Sequence, residues 1–386
     1  MLKQLKILTT SWHPGGINAI IPVIKRIRQD SLTNVIAIGH EFSEKSLLNA
    51  GINYNRLQNY SLQDVSIGSM QSLLQQTNPN LVLTGTSIQE KPEDVVIEQT
   101  ITLAANESGI PSLSVLDFWG NYYQRFSDLY TKEKFRFLPT KVAIMDQYAE
   151  KEMLDEGFPK ERLRITGNPH FDDLEEKANS FTSEQKEEIL AQIKLNKKLL
   201  IFYAANVWKD YAGEYGFWDL DNISLINETI NNLQPSYKQR TGLVVKLHPR
   251  TPQQASEEIK RYIDTNNHVT KEERIRLVTD IHPQNLVLAC DLTLTPNSTL
   301  GFEAVYMHKP CISIQPGLKT KDYLAILTQN KLIPVGYTPD DCINLVQRAV
   351  TDENYRRDLV NQSSSFRTDG KATQRVTDLV YEMMGI

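Results

Sequence analysis

The chain has 386 residues, which suits two domains better than one, and 40% of them are hydrophobic. Its formal net charge of -5 argues against general nucleic-acid binding, because an acidic surface repels phosphates. No apolar run reaches the roughly 18 residues that a membrane span needs, and Met1–Leu8 is too short and polar for a signal peptide. We therefore expect a cytoplasmic protein with at most peripheral membrane contact.

Strands and helices alternate through the first part of the chain. The predicted strands cover residues 5–10, 34–39, 80–86, 111–117 and 142–146. Most residues in these runs are apolar, and helical patterns separate them, which is typical of a parallel sheet covered on both faces. The sequence predicts a Rossmann-like domain over residues 1–167.

Polar loops follow the strands of this domain. His13 comes after the first strand, at the edge of the sheet where open α/β proteins place their ligands. It is either a general base or a structural hydrogen-bonding residue. Gly15 and Gly16 indicate either a backbone that approaches a ligand closely or a plain tight turn. Asp117 ends another strand and is a second candidate for the base.

The loop that starts at Asp117 is rich in aromatic residues and includes Arg125. Acidic, basic and aromatic side chains together are typical of a pocket for a sugar or another ring-shaped molecule. Trp119 and Tyr122 fit such a pocket, but they fit packing beneath the loop equally well.

A charged, helical segment separates this domain from a second one. The Gly167-Asn168-Pro169 turn opens it, and we predict an interdomain linker over residues 168–197. The alternation then resumes, which predicts a second Rossmann-like domain over residues 198–370 and a C-terminal helix over 371–386.

The residues from Thr293 to Pro310 predict a strand, a polar turn and a helix. Unpaired N–H groups at a helix N-terminus bind phosphate, and Asn297, Ser298 and Thr299 add side-chain donors at the turn. Glu303 lies about one helical turn further on, where its carboxylate suits the two hydroxyls of a ribose. The same residue types also form ordinary helix caps.

Two further residues favour phosphate binding in the second domain. His248 and Arg250 follow a predicted strand and supply cationic donors for a phosphate. The predicted site therefore suits a nucleoside diphosphate.

In order and spacing, these motifs resemble the GT-B superfamily. The resemblance lies in Gly167-Asn168-Pro169, in Lys246–Pro249, in Asn297–Ala304 and in Lys309-Pro310. It implies two Rossmann-like domains facing across a cleft, with a nucleotide-sugar in the C-terminal domain and an acceptor in the N-terminal one.

Two groups within this superfamily are most similar. Capsule-type bacterial transferases share the His-Pro pair and the Ser/Thr pair. The same segments resemble the His-Pro and Ser-Gly-Gly…Glu-Glu-Ala motifs of the hydrolysing UDP-N-acetylglucosamine 2-epimerase. Either resemblance implies that His248, Ser298 and Thr299 contact phosphate and that Glu303 contacts ribose. The epimerase family has His-Gly-Asp where this chain has Thr84-Gly85-Thr86, and it has Glu where this chain has Asp117.

From these features we expect a glycosyltransferase that moves a sugar from a UDP- or CMP-linked donor to a carbohydrate or lipid-linked acceptor. His248 and Arg250 would stabilise the leaving phosphate, and His13 or Asp117 would act as the base. The alternative is an epimerase or hydrolase that acts on the nucleotide-sugar itself, and a non-enzymatic nucleotide-binding protein is a third class. No oligomeric state is predicted.

We expect neither a separate cofactor nor a metal ion. Asp219 and Asp221 have the acid-x-acid spacing of some metal sites, but neither has a His or Cys companion at ligand spacing.

Overall fold

The computed structural model describes residues 4–89, 91, 93–207, 209–270, 273–364, 366 and 368–386. The chain divides into two compact units, Met1–Asp173 with Thr368–Ile386 (unit 1) and Leu174–Arg367 (unit 2). Most of the segment predicted as a linker therefore lies in unit 2, and the C-terminal helix lies in unit 1.

Unit 1 contains a six-stranded parallel sheet. Its strands are β1 (Leu5–Thr10), β2 (Thr33–Ile38), β3 (Leu81–Thr84), β4 (Ser112–Val115), β5 (Lys141–Ile144) and β6 (Leu163–Ile165). They pair in the order β2-β1-β3-β4-β5-β6, with Ile7 opposite both Val35 and Leu81. Every residue of β3 and β4 is buried, which confirms the prediction of a sheet covered on both faces.

Unit 2 contains a second parallel sheet of six strands. They are β7 (Leu199–Ala204), β8 (Thr241–Lys246), β9 (Ile275–Leu277), β10 (Leu292–Thr295), β11 (Cys311–Ile314) and β12 (Val335–Gly336). The order is β12-β11-β10-β7-β8-β9. The predicted fold class, α/β with two Rossmann-like parallel-sheet domains, is confirmed.

Helices connect the strands in both units. Those of unit 1 before its last helix are α1 (Pro14–Ile27), α2 (Phe42–Asn49), α3 (Ile67–Thr77), α4 (Ile97–Glu107), α5 (Tyr122–Phe126) and α6 (Gln147–Asp155). Unit 2 has α7 (Leu174–Asn179), α8 (Ser183–Ile193), α9 (Ala212–Tyr215), α10 (Asp219–Asn231), α11 (Pro235–Arg240), α12 (Gln253–Thr270), α13 (Pro283–Ala289), α14 (Leu300–Tyr306), α15 (Ala325–Gln329), α16 (Pro339–Thr351) and α17 (Glu353–Gln362). The last helix, α18 (Ala372–Met384), returns to unit 1. None of the described helices has the length and apolar character that crossing a bilayer requires.

Helix α18 is held in unit 1 by apolar packing and by a cap. Val376 and Val380 are fully buried in the same core cluster as Ile20 of α1, and each such side chain contributes about 2 kcal/mol. The Asp172 carboxylate accepts hydrogen bonds from the N–H groups of Ala372 and Thr373 at 2.9 and 2.6 Å. A negative charge at this end also suits the helix dipole.

In unit 2, Asp219 holds the loop that follows β7. Its side chain is fully buried, and it accepts hydrogen bonds from the Tyr203 hydroxyl at 2.9 Å and from the N–H groups of Asn206 and Val207 at 3.1 and 3.0 Å. Burial raises the pKa of Asp219 to about 7, against the opposing effect of these bonds.

The second acid of the Asp219-x-Asp221 pair also forms a hydrogen bond within the protein. Asp221 accepts a hydrogen bond from the Trp218 N–H at 3.0 Å and so caps α10. Among the described residues, no group of three or more His, Cys, Asp or Glu side chains has an arrangement that could hold a metal ion.

Replacing Asp219 with Ala should lower the free energy of unfolding by about 3 kcal/mol, because three buried donors lose their acceptor. Urea denaturation measures this change. Asp264→Ala, at an exposed position of α12, is the control and should change the free energy by less than about 0.5 kcal/mol. Equal effects of the two substitutions would contradict the anchoring role of Asp219.

Candidate functional site

Three loops meet at the carboxyl edge of the unit 1 sheet. They follow β1, β3 and β4, which are neighbours in the sheet. Because parallel strands all end at the same edge, residues 11–16, residues 86–87 and Asp117 come together there. We call this set of residues the unit 1 rim.

Asp117 is oriented by charged and polar contacts. Its Oδ1 accepts hydrogen bonds from Arg125 Nη1 at 2.6 Å and from the Thr86 hydroxyl at 3.0 Å. The Asn168 amide donates to the Asp117 backbone carbonyl at 3.0 Å, so the Gly-Asn-Pro turn supports this residue. The Asp117 side chain is 16% exposed, whereas that of Arg125 is 6% exposed. One carboxylate oxygen is thus fixed, and no hydrogen bond is formed by Oδ2 within the described part of the chain.

The glycine pair is required by close contacts inside unit 1. A Cβ at Gly15 would lie 2.1 Å from Asp117 Oδ2, and one at Gly16 would lie 2.5 Å from the Ser11 hydroxyl and 2.9 Å from the Thr86 N–H nitrogen. Any larger residue would displace these groups. The glycines therefore let helix α1 start directly against Asp117 and Thr86.

His13 lies at the N-cap of α1 and is half-buried. Its backbone N–H donates to the Ser87 hydroxyl at 3.2 Å, and its ring stacks on Trp12 with centroids 4.3 Å apart. The exposed ring of Phe42 lies 6.1 Å away. The imidazole therefore belongs to an aromatic cluster at the unit 1 rim, and its role as a base stays a prediction.

Glu98 forms hydrogen bonds to the unit 1 rim, and sequence reasoning missed it. It lies in the first turn of α4, is 4% exposed, and accepts hydrogen bonds from Ser11, from the Trp12 N–H and from Ser87. The available signal was an acidic residue directly after the apolar run Val95–Ile97. A charged group at a core position needs partners, and these lie on two other loops.

Trp119 and Tyr122 pack beneath their loop. Trp119 is 3% exposed and donates from its indole to Asp146 at 3.0 Å. Tyr122 is fully buried, and its hydroxyl donates to Glu152 at 2.7 Å. Of the two interpretations left open by the sequence, the structure supports packing.

At the corresponding edge of the unit 2 sheet, the turn after β10 contains the predicted phosphate residues. Asn297 is buried, and its side-chain oxygen accepts a hydrogen bond from the Asn206 amide at 2.8 Å. Ser298 is partly exposed and Thr299 is exposed. This turn therefore presents two hydroxyls at the surface of unit 2.

The backbone N–H groups at the start of α14 differ from the prediction. Leu300 donates to the Ser298 hydroxyl at 3.3 Å, and Gly301 donates to the Ser298 carbonyl at 2.9 Å. The sequence predicts first-turn N–H groups that are open to a phosphate, but these two amides are paired because the turn folds back on Ser298. The hydroxyl hydrogen of Ser298 remains a donor.

Glu303 lies in α14 and is 7% exposed. Its Oε2 accepts a hydrogen bond from the Gln284 amide at 2.8 Å, and Gln284 accepts in turn from Lys177 at 2.7 Å. Among the described residues, Glu303 Oε1 has no hydrogen-bond partner. The carboxylate is thus fixed by one oxygen, and the other can accept hydrogen bonds from a ligand.

His248 and Arg250 follow β8, at the same edge of the unit 2 sheet. Burial, with the Arg250 charge as a second cause, lowers the pKa of His248 to about 4. This burial favours a neutral imidazole at pH 7 over the cationic one expected from the sequence. His248 Nδ1 accepts a hydrogen bond from the Arg250 N–H at 3.1 Å, which leaves the ring proton on Nε2 as a donor.

The structure groups the predicted site residues by unit. His13, Gly15, Gly16 and Asp117 lie at the unit 1 rim. The predicted phosphate and ribose residues, His248, Arg250, Asn297, Ser298, Thr299 and Glu303, all lie in unit 2.

Known proteins with similar sequence or structure indicate one family. The model of the UDP-N-acetylglucosamine 2-epimerase family matches residues 139–381, more than half of the chain. No curated protein sequence matches significantly.

Solved structures share the fold. A Staphylococcus aureus MnaA–UDP co-structure and Neisseria meningitidis UDP-GlcNAc 2-epimerase bound to UDP-GlcNAc are each 17% identical, with TM-scores of 0.69. The alignment with the S. aureus protein covers 99% of this chain and 97% of that protein, and the alignment with the N. meningitidis protein covers 98% of this chain and 100% of that protein. A Listeria monocytogenes putative UDP-N-acetylglucosamine 2-epimerase is 14% identical with a TM-score of 0.71, covering 99% of this chain and 97% of that one.

The family match corrects the function expected from the sequence. The glycosyltransferase prediction is wrong, and the resemblance to capsule-type transferases is not supported by the match. The His-Pro pair and the Ser/Thr turn are phosphate-binding chemistry, which transferases and epimerases share, so these residues could not separate the two classes. The chain belongs to the UDP-N-acetylglucosamine 2-epimerase family.

Proposed function

We propose that the protein binds UDP-N-acetylglucosamine and acts on that molecule itself, as a 2-epimerase or hydrolase. The observation that carries this proposal is the family match over residues 139–381, which includes every predicted phosphate and ribose residue of unit 2. Structures with the same fold were solved with UDP and with UDP-GlcNAc. The sugar nucleotide is the substrate, so the proposal includes neither a separate cofactor nor an acceptor.

The proposed nucleotide site lies in unit 2. Glu303, fixed by Gln284, has one carboxylate oxygen for the ribose hydroxyls. The Ser298 and Thr299 hydroxyls and the Nε2–H of His248 donate to the diphosphate, and exposed Arg250 adds positive charge. Hydrogen bonds to a departing diphosphate strengthen as its negative charge grows, which lowers the barrier to breaking the bond at sugar C1.

Removal of the proton from C2 of the sugar requires a base. Loss of the C2 proton is feasible when the electron pair of the C–H bond forms a C1–C2 double bond and the C1–O pair leaves with UDP. Return of UDP to C1, with a proton added to the opposite face of C2, gives the epimer, whereas addition of water, with its hydroxyl at C1 and a proton at C2, gives the free sugar. Asp117 is the proposed base, because Arg125 and Thr86 hold one oxygen while Oδ2 forms no hydrogen bond to described residues.

Incubation with UDP-N-acetylglucosamine in D2O tests the function. We expect proton NMR to show deuterium at C2 in the product and phosphorus NMR to show released UDP or a UDP-linked epimer. Asp117→Asn is the control, with a rate lower by about 100-fold or more, since a general base commonly contributes that much. A folded protein that produces neither signal would refute the proposal.

Replacing Glu303 with Ala should weaken UDP binding by about 10-fold to 100-fold, the effect of losing a hydrogen bond to a charged group. Isothermal titration calorimetry measures the affinity, and circular dichroism confirms that the variant is folded. Glu257→Ala, at an exposed position of α12, is the matched control and should bind UDP normally. Unchanged affinity in Glu303→Ala would remove this residue from the nucleotide site.

The neutral imidazole of His248 predicts a pH dependence of stability. In the unfolded chain His248 takes up a proton near pH 6.5, whereas the folded protein resists protonation until about pH 4. The contribution of His248 to the free energy of unfolding is therefore fully present above pH 6.5 and falls as the pH decreases toward 4. Urea denaturation at pH 7 and pH 5 measures how much the free energy of unfolding decreases. This decrease should be smaller in His248→Asn, whose side-chain oxygen can still accept from the Arg250 N–H, than in the wild type. An identical decrease in both proteins would contradict this assignment.

A further inference from the structure

The Glu98 carboxylate joins two loops of the unit 1 rim. Its Oε1 accepts hydrogen bonds from the Ser11 hydroxyl at 2.8 Å, from the Trp12 N–H at 2.9 Å and from the Ser87 hydroxyl at 2.6 Å. Ser11 and Trp12 follow β1, whereas Ser87 follows the neighbouring β3. The Ser87 hydroxyl also accepts from the His13 N–H at 3.2 Å, so a second bond runs back to the first loop.

The second oxygen of Glu98 has a different environment. Oε2 is buried and has no hydrogen-bond partner in the part of the chain that the structure describes. Burying a carboxylate costs free energy unless donors satisfy it, and here all three donors reach a single oxygen. Stability alone would favour an apolar side chain at this position, between Ile97 and Ile101 in the core of unit 1.

Contacts extend from Glu98 to the proposed base. Ser11, which Glu98 holds, lies against Gly16, and Gly16 packs against the backbone of Thr86. The Thr86 hydroxyl donates to Asp117 at 3.0 Å. The position of Asp117 relative to α1 therefore depends on the loops that Glu98 ties together.

We infer that Glu98 is a positioning residue for the reaction of this protein: it fixes the Ser11–His13 turn and Ser87, and through them the setting of Asp117. The inference rests on the proposed function, because it assigns Glu98 to the proton-transfer step at C2.

Hydrogen exchange tests the anchoring without any substrate. Glu98→Ala removes the acceptor. By NMR, we expect the Trp12 amide to exchange faster by about tenfold or more, and the His13 amide to exchange faster as well. Core amides of β3 and β4 should keep their exchange rates. Glu98→Gln retains an oxygen for the three donors and should keep most of the protection. Glu107→Gln, which alters a carboxylate at the other end of the same helix, is the matched control and should change neither amide.

Kinetics test the effect on the reaction. With UDP-N-acetylglucosamine, kcat per folded molecule of Glu98→Ala should fall by about 100-fold, which is the scale for a misplaced reacting group. KM should stay nearly unchanged, because the proposed nucleotide residues lie in unit 2. Glu98→Gln should recover most of the rate, and Glu107→Gln should match the wild type.

The outcomes separate positioning from general stabilisation. Uniformly faster exchange across unit 1, or unchanged exchange at Trp12, would overturn the anchoring, and local loosening with unchanged kcat would overturn the role in the reaction. If the wild-type protein does not convert UDP-N-acetylglucosamine at all, the proposed function fails. In that case, selectively faster amide exchange at Trp12 and His13 in Glu98→Ala still tests whether Glu98 holds the unit 1 rim.

Discussion

Parallel pairing of the strands is the constraint on which the rest of the structure depends. In each sheet every strand pairs in parallel with its neighbours, so every strand ends at the same edge. The chain must then return across a face of the sheet in a helix, which covers both faces with apolar side chains. The polar residues that follow the strands are consequently gathered at one edge in each unit.

A buried acidic side chain accepts hydrogen bonds from loop residues at that edge in each unit. Asp219 in unit 2 and Glu98 in unit 1 each accept three hydrogen bonds, and all of their donors except Tyr203, which lies in β7, belong to loops that leave the carboxyl ends of strands. A carboxylate can satisfy several donors at once, which no neutral side chain of similar size does as well. Asp219 thereby anchors the loop that follows β7, and Glu98 joins the loops that follow β1 and β3.

The two units carry different parts of the proposed chemistry. Unit 2 offers an oriented carboxylate, hydroxyls and a neutral imidazole, which suit the binding of a ribose and a diphosphate. Unit 1 offers the Asp117–Arg125 pair, which suits proton transfer. The nucleotide residues are compatible with many reactions of a sugar nucleotide, so they do not by themselves determine the fate of the sugar.

The sequence by itself determined the fold class, because apolar strands that alternate with helices leave few arrangements other than covered parallel sheets. It also placed His13, Asp117, His248 and Glu303 on loops and helices after strands, since these positions follow from local pattern. The burial of His248 and the hydrogen bonds of Glu98 were decided only by the tertiary structure. Glu98 and Ser11 are 87 residues apart in the chain, and periodicity within a short window cannot show that burial and hydrogen bonding join them.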